Sequence, residues 1–252
     1  MLHVQDLVLI AGAGLLGGAM NAIAGGGSFV TLPALVAAGV PSLNANATST
    51  VALVPSALAT AFAYRKDFQN FESVKFSTMA ALSVVGGVLG ALLLISTPQR
   101  VFDDIFPFLL LFGVLVFAFG RKLGDFLHTR ISVHPAALPV AQFVLGIYGG
   151  YFGGAVGVMM LAVWSVLTRA SINMMQASRN LLNAAMNATA SLFFIFGGLI
   201  YWRQMAALLI GAAIGGYVAG HYGRRLEPAK ARLAIIGLNS VIVALVFWRQ
   251  YG

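Results

Sequence analysis

The sequence predicts an all-α polytopic membrane protein made of two inverted repeats. Each repeat reads as a broken or re-entrant helix pair followed by three transmembrane helices. Three observations predict this. Charge is scarce: 60% of the 252 residues are hydrophobic and 9% are charged, where a soluble domain carries about 25% charged residues. The apolar runs have the length of helices, whereas a transmembrane barrel shows short alternating segments. The chain also matches itself at a constant offset of 130 residues. At that offset Gly27 falls on Gly157, Ala47-Thr48 on Ala177-Ser178, Gly86 and Gly90 on Gly216 and Gly220, Pro98 on Pro228, and Leu115-Val116-Phe117 on Leu245-Val246-Phe247. Internal repeats of this kind are frequent in secondary transporters.

The first apolar segment, 7–24, stops at Ala24-Gly25-Gly26-Gly27-Ser28. Three glycines are poor helix interior, at roughly 1 kcal/mol each relative to Ala. The next segment, 28–38, is too short to cross a bilayer alone, since a crossing takes about 20 residues. Non-helical backbone at membrane depth is tolerated only where protein buries it or it lines a cavity. A broken helix followed by the polar start of another, here Ser42 through Thr50, is the pattern of a transporter binding site. A glycine-mediated helix crossing with Ser and Thr as packing groups is the plainer reading.

Segments 45–64, 76–95 and 105–119 follow, and residues 120–135 form the longest link. Residues 1–120 are therefore assigned to the first repeat and 121–252 to the second, within a single membrane domain. The second half runs 136–152, 154–167, 174–196, 203–222 and 233–248, with its own break at Gly153-Gly154-Ala155-Val156-Gly157. Tyr148 and Tyr151 precede that break, as pocket or packing aromatics. The basic links are 65–75, 121–134 and 222–232, and the positive-inside rule places them in the cytoplasm. Each broken pair must then return to the side it entered. An odd number of crossings per half inverts the second repeat and puts both termini outside. The formal net charge of +8 thus sets topology, and no nucleic-acid partner is expected. No cleavable signal is evident at the N-terminus. Gly211, Gly215, Gly216 and Gly220 form a small-residue face, read as helix packing with Gly86, Gly87 and Gly90 as its partner.

Chemistry-bearing residues are few. There is no cysteine, and His3, His128, His134 and His221 lack metal-ligand spacing, so no metal or cofactor is expected. Gly25-Gly26-Gly27 lacks the Lys-Ser/Thr of a phosphate-binding loop, and no catalytic constellation is present. The chain reads as a non-enzyme. Arg179 is the most informative residue. It lies in Gln176-Ala177-Ser178-Arg179-Asn180, at the polar start of segment 174–196. An arginine inside a spanning helix costs about 2.5 kcal/mol or more and faces a cavity or partner. Asn183 and Asn187 follow on the same stripe, with Gln176 and Asn180 beside it. A planar guanidinium among amides suits a carboxylate or sulfonate. Two plainer readings compete: snorkelling at the membrane edge, and a structural pair with a carboxylate. Asp6, Asp67, Glu72, Asp103, Asp104, Asp125 and Glu227 all lie in or next to links.

The first half supplies the facing wall of this expected site. Its amides are Asn21 and Asn46, and its hydroxyls are Thr48, Ser49 and Thr50. Its helix starts, at Gly26-Gly27-Ser28 and near Asn46, would point backbone N–H groups at an anion. At the repeat offset Ser49 corresponds to Arg179.

Gly25-Gly26-Gly27-Ser28-Phe29-Val30-Thr31-Leu32-Pro33, then Ala47-Thr48-Ser49-Thr50, with a degenerate second copy, resembles the TauE/SafE permease family over essentially the whole chain. The second copy departs where Val158 and Val163 replace Ser28 and Pro33, and where Arg179-Asn180 replace Ser49-Thr50. The resemblance implies a carrier in the bacterial inner membrane for small sulfur-containing anions such as sulfite, sulfoacetate or related sulfonates. The expected partners are that small anion and the lipid bilayer, and homo-oligomerisation is not indicated. The lack of a threaded Asp, Glu or His proton relay points to export driven by membrane potential. A channel with broken-helix filters and an assembly protein without a solute path are the competing classes.

Overall fold

In the computed structural model the structure describes residues 4–63, 70–71, 74–128, 134, 136–168, 170–222 and 228–251. Their regular structure is entirely helical. The helices are α1 (Val4–Ala24), α2 (Ser28–Ala37), α3 (Ser42–Ala63), α4 (Phe76–Ser96), α5 (Gln99–His128), α6 (Ala137–Tyr151), α7 (Val156–Leu167), α8 (Ile172–Phe196), α9 (Trp202–Tyr222) and α10 (Pro228–Tyr251). Both glycine clusters break helices where the sequence places them, after α1 and after α6. Residues 65–69, 72–73, 129–133 and 223–227 lie outside the described residues, and with them part of each of the three basic links. Helix α5 outlasts its apolar run: it continues beyond Phe119 through Gly120 and Arg121 to His128. Loss of apolarity marks exit from lipid, and it need not end a helix.

Each break folds the chain back on itself. A Cβ at Gly17 would meet Thr31 Cγ2 and the Gly27 carbonyl, so α2 runs back along α1. In the second half, Trp164 Nε1 on α7 donates to Gln142 Oε1 on α6 at 3.2 Å, and Gly149 faces Val156. These are two helical hairpins of matching design. The reversals are set by Gly25 (φ 79°) and Gly153 (φ 70°), in a region that costs a side chain about 1–2 kcal/mol. Ala155, at φ 59°, bears that cost within the second break.

The glycine faces do pack helices, but not on the partner expected. The α9 glycines do not meet those of α4. Gly211 and Gly215 press on the Ala11 and Leu15 backbone of α1, while Gly14 and Gly18 of α1 press on Leu208 and Ala212 of α9. Gly86 and Gly90 of α4 meet Phe143, Gly146, Ile147 and Tyr151 of α6, and Gly150 meets Gly87. Each small-residue face therefore closes on the broken pair of the other half. The reason is steric: the hairpin helices carry their own glycines at i, i+4, so backbones can approach from both sides. The contact pattern is nearly unchanged on exchanging α1–α5 for α6–α10: α1 with α9 matches α6 with α4, α5 with α7 matches α10 with α2, and α3 packs on α8.

These seams are backbone to backbone, so a methyl cannot be absorbed by a rotamer change. Gly90→Ala and Gly215→Ala should each lower stability by about 1–3 kcal/mol, the usual cost of overpacking. Gly12→Ala, where a Cβ meets nothing within 4 Å, should be neutral or slightly stabilising. Thermal unfolding of the three purified variants distinguishes them.

Polarity is distributed inside out. Phe196, Tyr217 and Trp248 are 87%, 77% and 78% exposed, while Asn46, Thr48, Ser49, Ser83, Gln142, Ser178, Arg179 and Asn239 are buried. An apolar exterior around a polar interior fits hydrocarbon as the solvent. By length and composition α4 and the Gln99–Gly120 stretch of α5 are each able to cross a membrane, among the described residues.

Candidate anion site at the two helix breaks

The two breaks meet. A Cβ at Gly157 would lie 3.6 Å from the Gly25 carbonyl oxygen, and 3.3 and 3.6 Å from Cδ and Cγ of Arg179. A Cβ at Gly25 would lie 3.0 Å from Arg179 Nη1. Arg179 thus runs its stem past one break and sets its guanidinium against the other. Glycine at both positions is what lets the side chain through. Arg179 is 2% exposed, which removes the snorkelling reading. Asn180 Oδ1 accepts from Nε at 3.2 Å and from Nη2 at 2.9 Å, holding that edge of the fork while Nη1 faces Gly25.

Two short helices begin here, and no side chain caps either. The N-cap of α2 is Gly27 and that of α7 is Ala155. Their first bonds run from Phe29 N to Gly26 O, Val30 N to Gly27 O, and Val158 and Met159 N to Ala155 O. The N–H groups ahead of these are the part of a helix that binds anions. Ser178 Oγ and Asn180 Nδ2 are buried without a partner among the described residues. Both can donate, and a buried polar group left so costs about 1–3 kcal/mol. Around Arg179 the local chemistry is donor-rich.

The other expected site residues divide. Asn187 Nδ2 donates to Asn183 Oδ1 at 3.4 Å, as the i, i+4 stripe requires. Asn46 Nδ2 reaches across to the Tyr151 carbonyl at 2.9 Å, at the end of α6. Thr50 Oγ1 donates to Asn46 O at 2.9 Å. Ser49 pairs with Thr31, 2.6 Å between hydroxyl oxygens, tying α3 to α2. Thr48 turns elsewhere: its hydroxyl accepts from Tyr201 N at 3.1 Å, next to Asn44 Nδ2 donating to Leu199 O at 2.9 Å. Asn21 is buried, with its Cβ 3.0 Å from where a Gly27 Cβ would lie, and Gly26 lies under the Phe29 ring. Ser28 and Gln176 are partly buried. Tyr148 stacks edge-on with Phe112 and Phe152, and Tyr151 packs on Phe102.

Sequence reading missed Thr31, one turn inside α2, and the chain Trp164–Gln142–Ser83. Gln142 Nε2 donates to Ser83 Oγ at 2.7 Å, which donates to Met79 O at 2.7 Å. A lone Gln inside an apolar run was the available signal. Asp103, in the second turn of α5, accepts from Ser42 Oγ and from Gln99 Nε2 and so ties the start of α3 to that of α5.

A lipid-facing helical bundle with two broken hairpins meeting at a buried cation defines a polytopic membrane protein of transporter type. Residues 10–246 match the family described as sulfite exporter TauE/SafE, and the chain belongs to it. It is 32% identical over 244 residues to the probable membrane transporter protein YfcA of Escherichia coli K12, covering 94% of this chain and 88% of that protein. A probable membrane transporter protein of Haemophilus influenzae is 31% identical, covering 88% of this chain and 89% of that one. The probable membrane transporter protein ORF9 of a Sinorhizobium species is 30% identical, covering 92% and 88%. No solved structure matches the chain significantly. The chain is a membrane transporter.

Proposed function

We propose that the protein is a secondary transporter that exports a small sulfur-containing anion, such as sulfite, sulfoacetate or a related organosulfonate, across the bacterial inner membrane. The observation that carries this is Arg179, buried between two uncapped helix starts contributed by different halves of the chain. Arg179 holds the anionic head, with Asn180, Ser178 and the N–H groups at Gly26-Gly27-Ser28 and Val156-Gly157 completing the donor set. Gln176, Asn183, Asn187, Asn21, Asn46, Thr48, Ser49 and Thr50 form the wider polar wall. A tetrahedral or pyramidal oxyanion accepts from several directions, which suits donors arriving from two helices and a side chain. The near-exchangeable contacts of the two five-helix halves support a repeat, inverted in the membrane by the basic links. The family description supports sulfite and export.

The test is thermal unfolding of purified protein against sulfite, sulfoacetate, taurine and matched carboxylates. The sulfur oxyanions should raise the midpoint saturably. A panel in which only carboxylates do so would overturn the sulfur assignment. Counterflow in liposomes separates carrier from channel: a channel shows no stimulation by substrate on the opposite side.

A further inference from the structure

The second break carries chemistry of both signs. Donors gather at Arg179, whereas acceptors gather at Gly153. The point where a Cβ of residue 153 would sit lies 3.5 Å from the Gly149 carbonyl oxygen, 3.6 Å from Thr50 Oγ1 and 3.8 Å from Asn187 Oδ1. Three helices, α6, α3 and α8, each send one oxygen to this point.

All three are placed to accept. Thr50 spends its hydroxyl proton on Asn46 O, so lone pairs are what it offers Gly153. Asn187 turns its Nδ2 toward Asn183 Oδ1, and its own Oδ1 is buried without a partner among the described residues. Gly153 N turns back to Tyr148 O at 3.4 Å, so the Gly149 carbonyl loses the i+4 donor that an unbroken helix gives it. Asn46 Oδ1, whose amide is fixed at Tyr151 O, is another buried acceptor without a partner. The site also stands at the C-terminal end of α6, where the helix dipole favours positive charge. Unwound carbonyls and helix C-termini hold sodium in broken-helix carriers.

We propose that Gly149 O, Thr50 Oγ1 and Asn187 Oδ1 bind a monovalent cation of sodium's size. Oxygen donors to a cation of that size sit at about 2.3–2.6 Å, as for calcium, so the three oxygens would close in on the ion from the distances they keep to the Gly153 Cβ point. No carboxylate belongs to the set, and a divalent ion calls for more ligand charge. The proposal does not depend on which anion Arg179 binds.

The test uses the full-length protein in detergent, without any sulfur anion, unfolded thermally in sodium, potassium or choline chloride at equal ionic strength. Sodium should raise the midpoint saturably above choline. Asn187→Ala and Thr50→Val should raise the half-saturating sodium concentration about tenfold or more, and Thr50→Ser should restore it. Asn187→Asp adds a charge to the set and should lower it. Arg179→Ala should keep the sodium response while losing the response to sulfur anions, which separates the two sites. No difference among the three salts would overturn the proposal. So would wild-type sodium dependence in Asn187→Asp, which keeps the volume of the native side chain and decides the matter if the alanine variant does not fold.

Discussion

Arg179→Ala should abolish binding of the anionic substrate while leaving a folded protein. Removing one partner of a desolvated, hydrogen-bonded charge contact costs about 2–5 kcal/mol, which is a loss of roughly thirtyfold to several thousandfold in affinity at 1.4 kcal/mol per tenfold. Arg179→Lys should also bind poorly. An ammonium keeps the charge but cannot span the reach from Asn180 to Gly25 with a planar fork. Folding should survive both changes, because the bonds from the Arg179 guanidinium to Asn180 stay within α8. The measurement is equilibrium binding alongside size-exclusion behaviour. Wild-type affinity in Arg179→Ala would refute the assignment.

The second large effect is on direction. An inside-negative potential expels anions by about 2.3 kcal/mol per charge per 100 mV. A dianion gains about 4.6 kcal/mol on that arithmetic, equivalent to a gradient on the order of a thousandfold. A dianion accompanied by one sodium still carries a single negative charge and still moves outward, with half the drive. Efflux from substrate-loaded liposomes should therefore accelerate when a potassium diffusion potential makes the loaded side negative, with sodium and pH equal on both sides. Efflux that ignores voltage and follows a proton gradient would refute potential-driven export.

Much of this architecture was legible because glycine and charge are rare signals in a lipid environment. Gly25-Gly26-Gly27 and Gly153-Gly154 interrupt apolar runs at positions where nothing else explains them, so both breaks could be placed within a residue or two. Arg179 stood out because an intramembrane cation is costly. The swap of glycine partners was not legible, since Gly211 and Gly86 announce close packing without naming a neighbour. Nor could residue type show that Thr48 would cap the turn at Tyr201 while Thr50, two positions on, faces Gly153. On a helix those two side chains point about 200° apart, and only the docking of α3 decides which face sees the site. Thr31 escaped notice because a single hydroxyl in Phe29-Val30-Thr31-Leu32 looks like any β-branched core residue.

The crosswise glycine seams bear on which parts can move against each other. Since α1 is locked to α9 and α4 to α6 through backbone contacts, neither five-helix half can swing as a block without prying a seam apart. The stiff units are composites that each draw helices from both halves of the chain. Arg179 sits on α8, which packs on both α3 and α4. Opening toward one side of the membrane with both seams kept closed would therefore have to move helices of the two halves together.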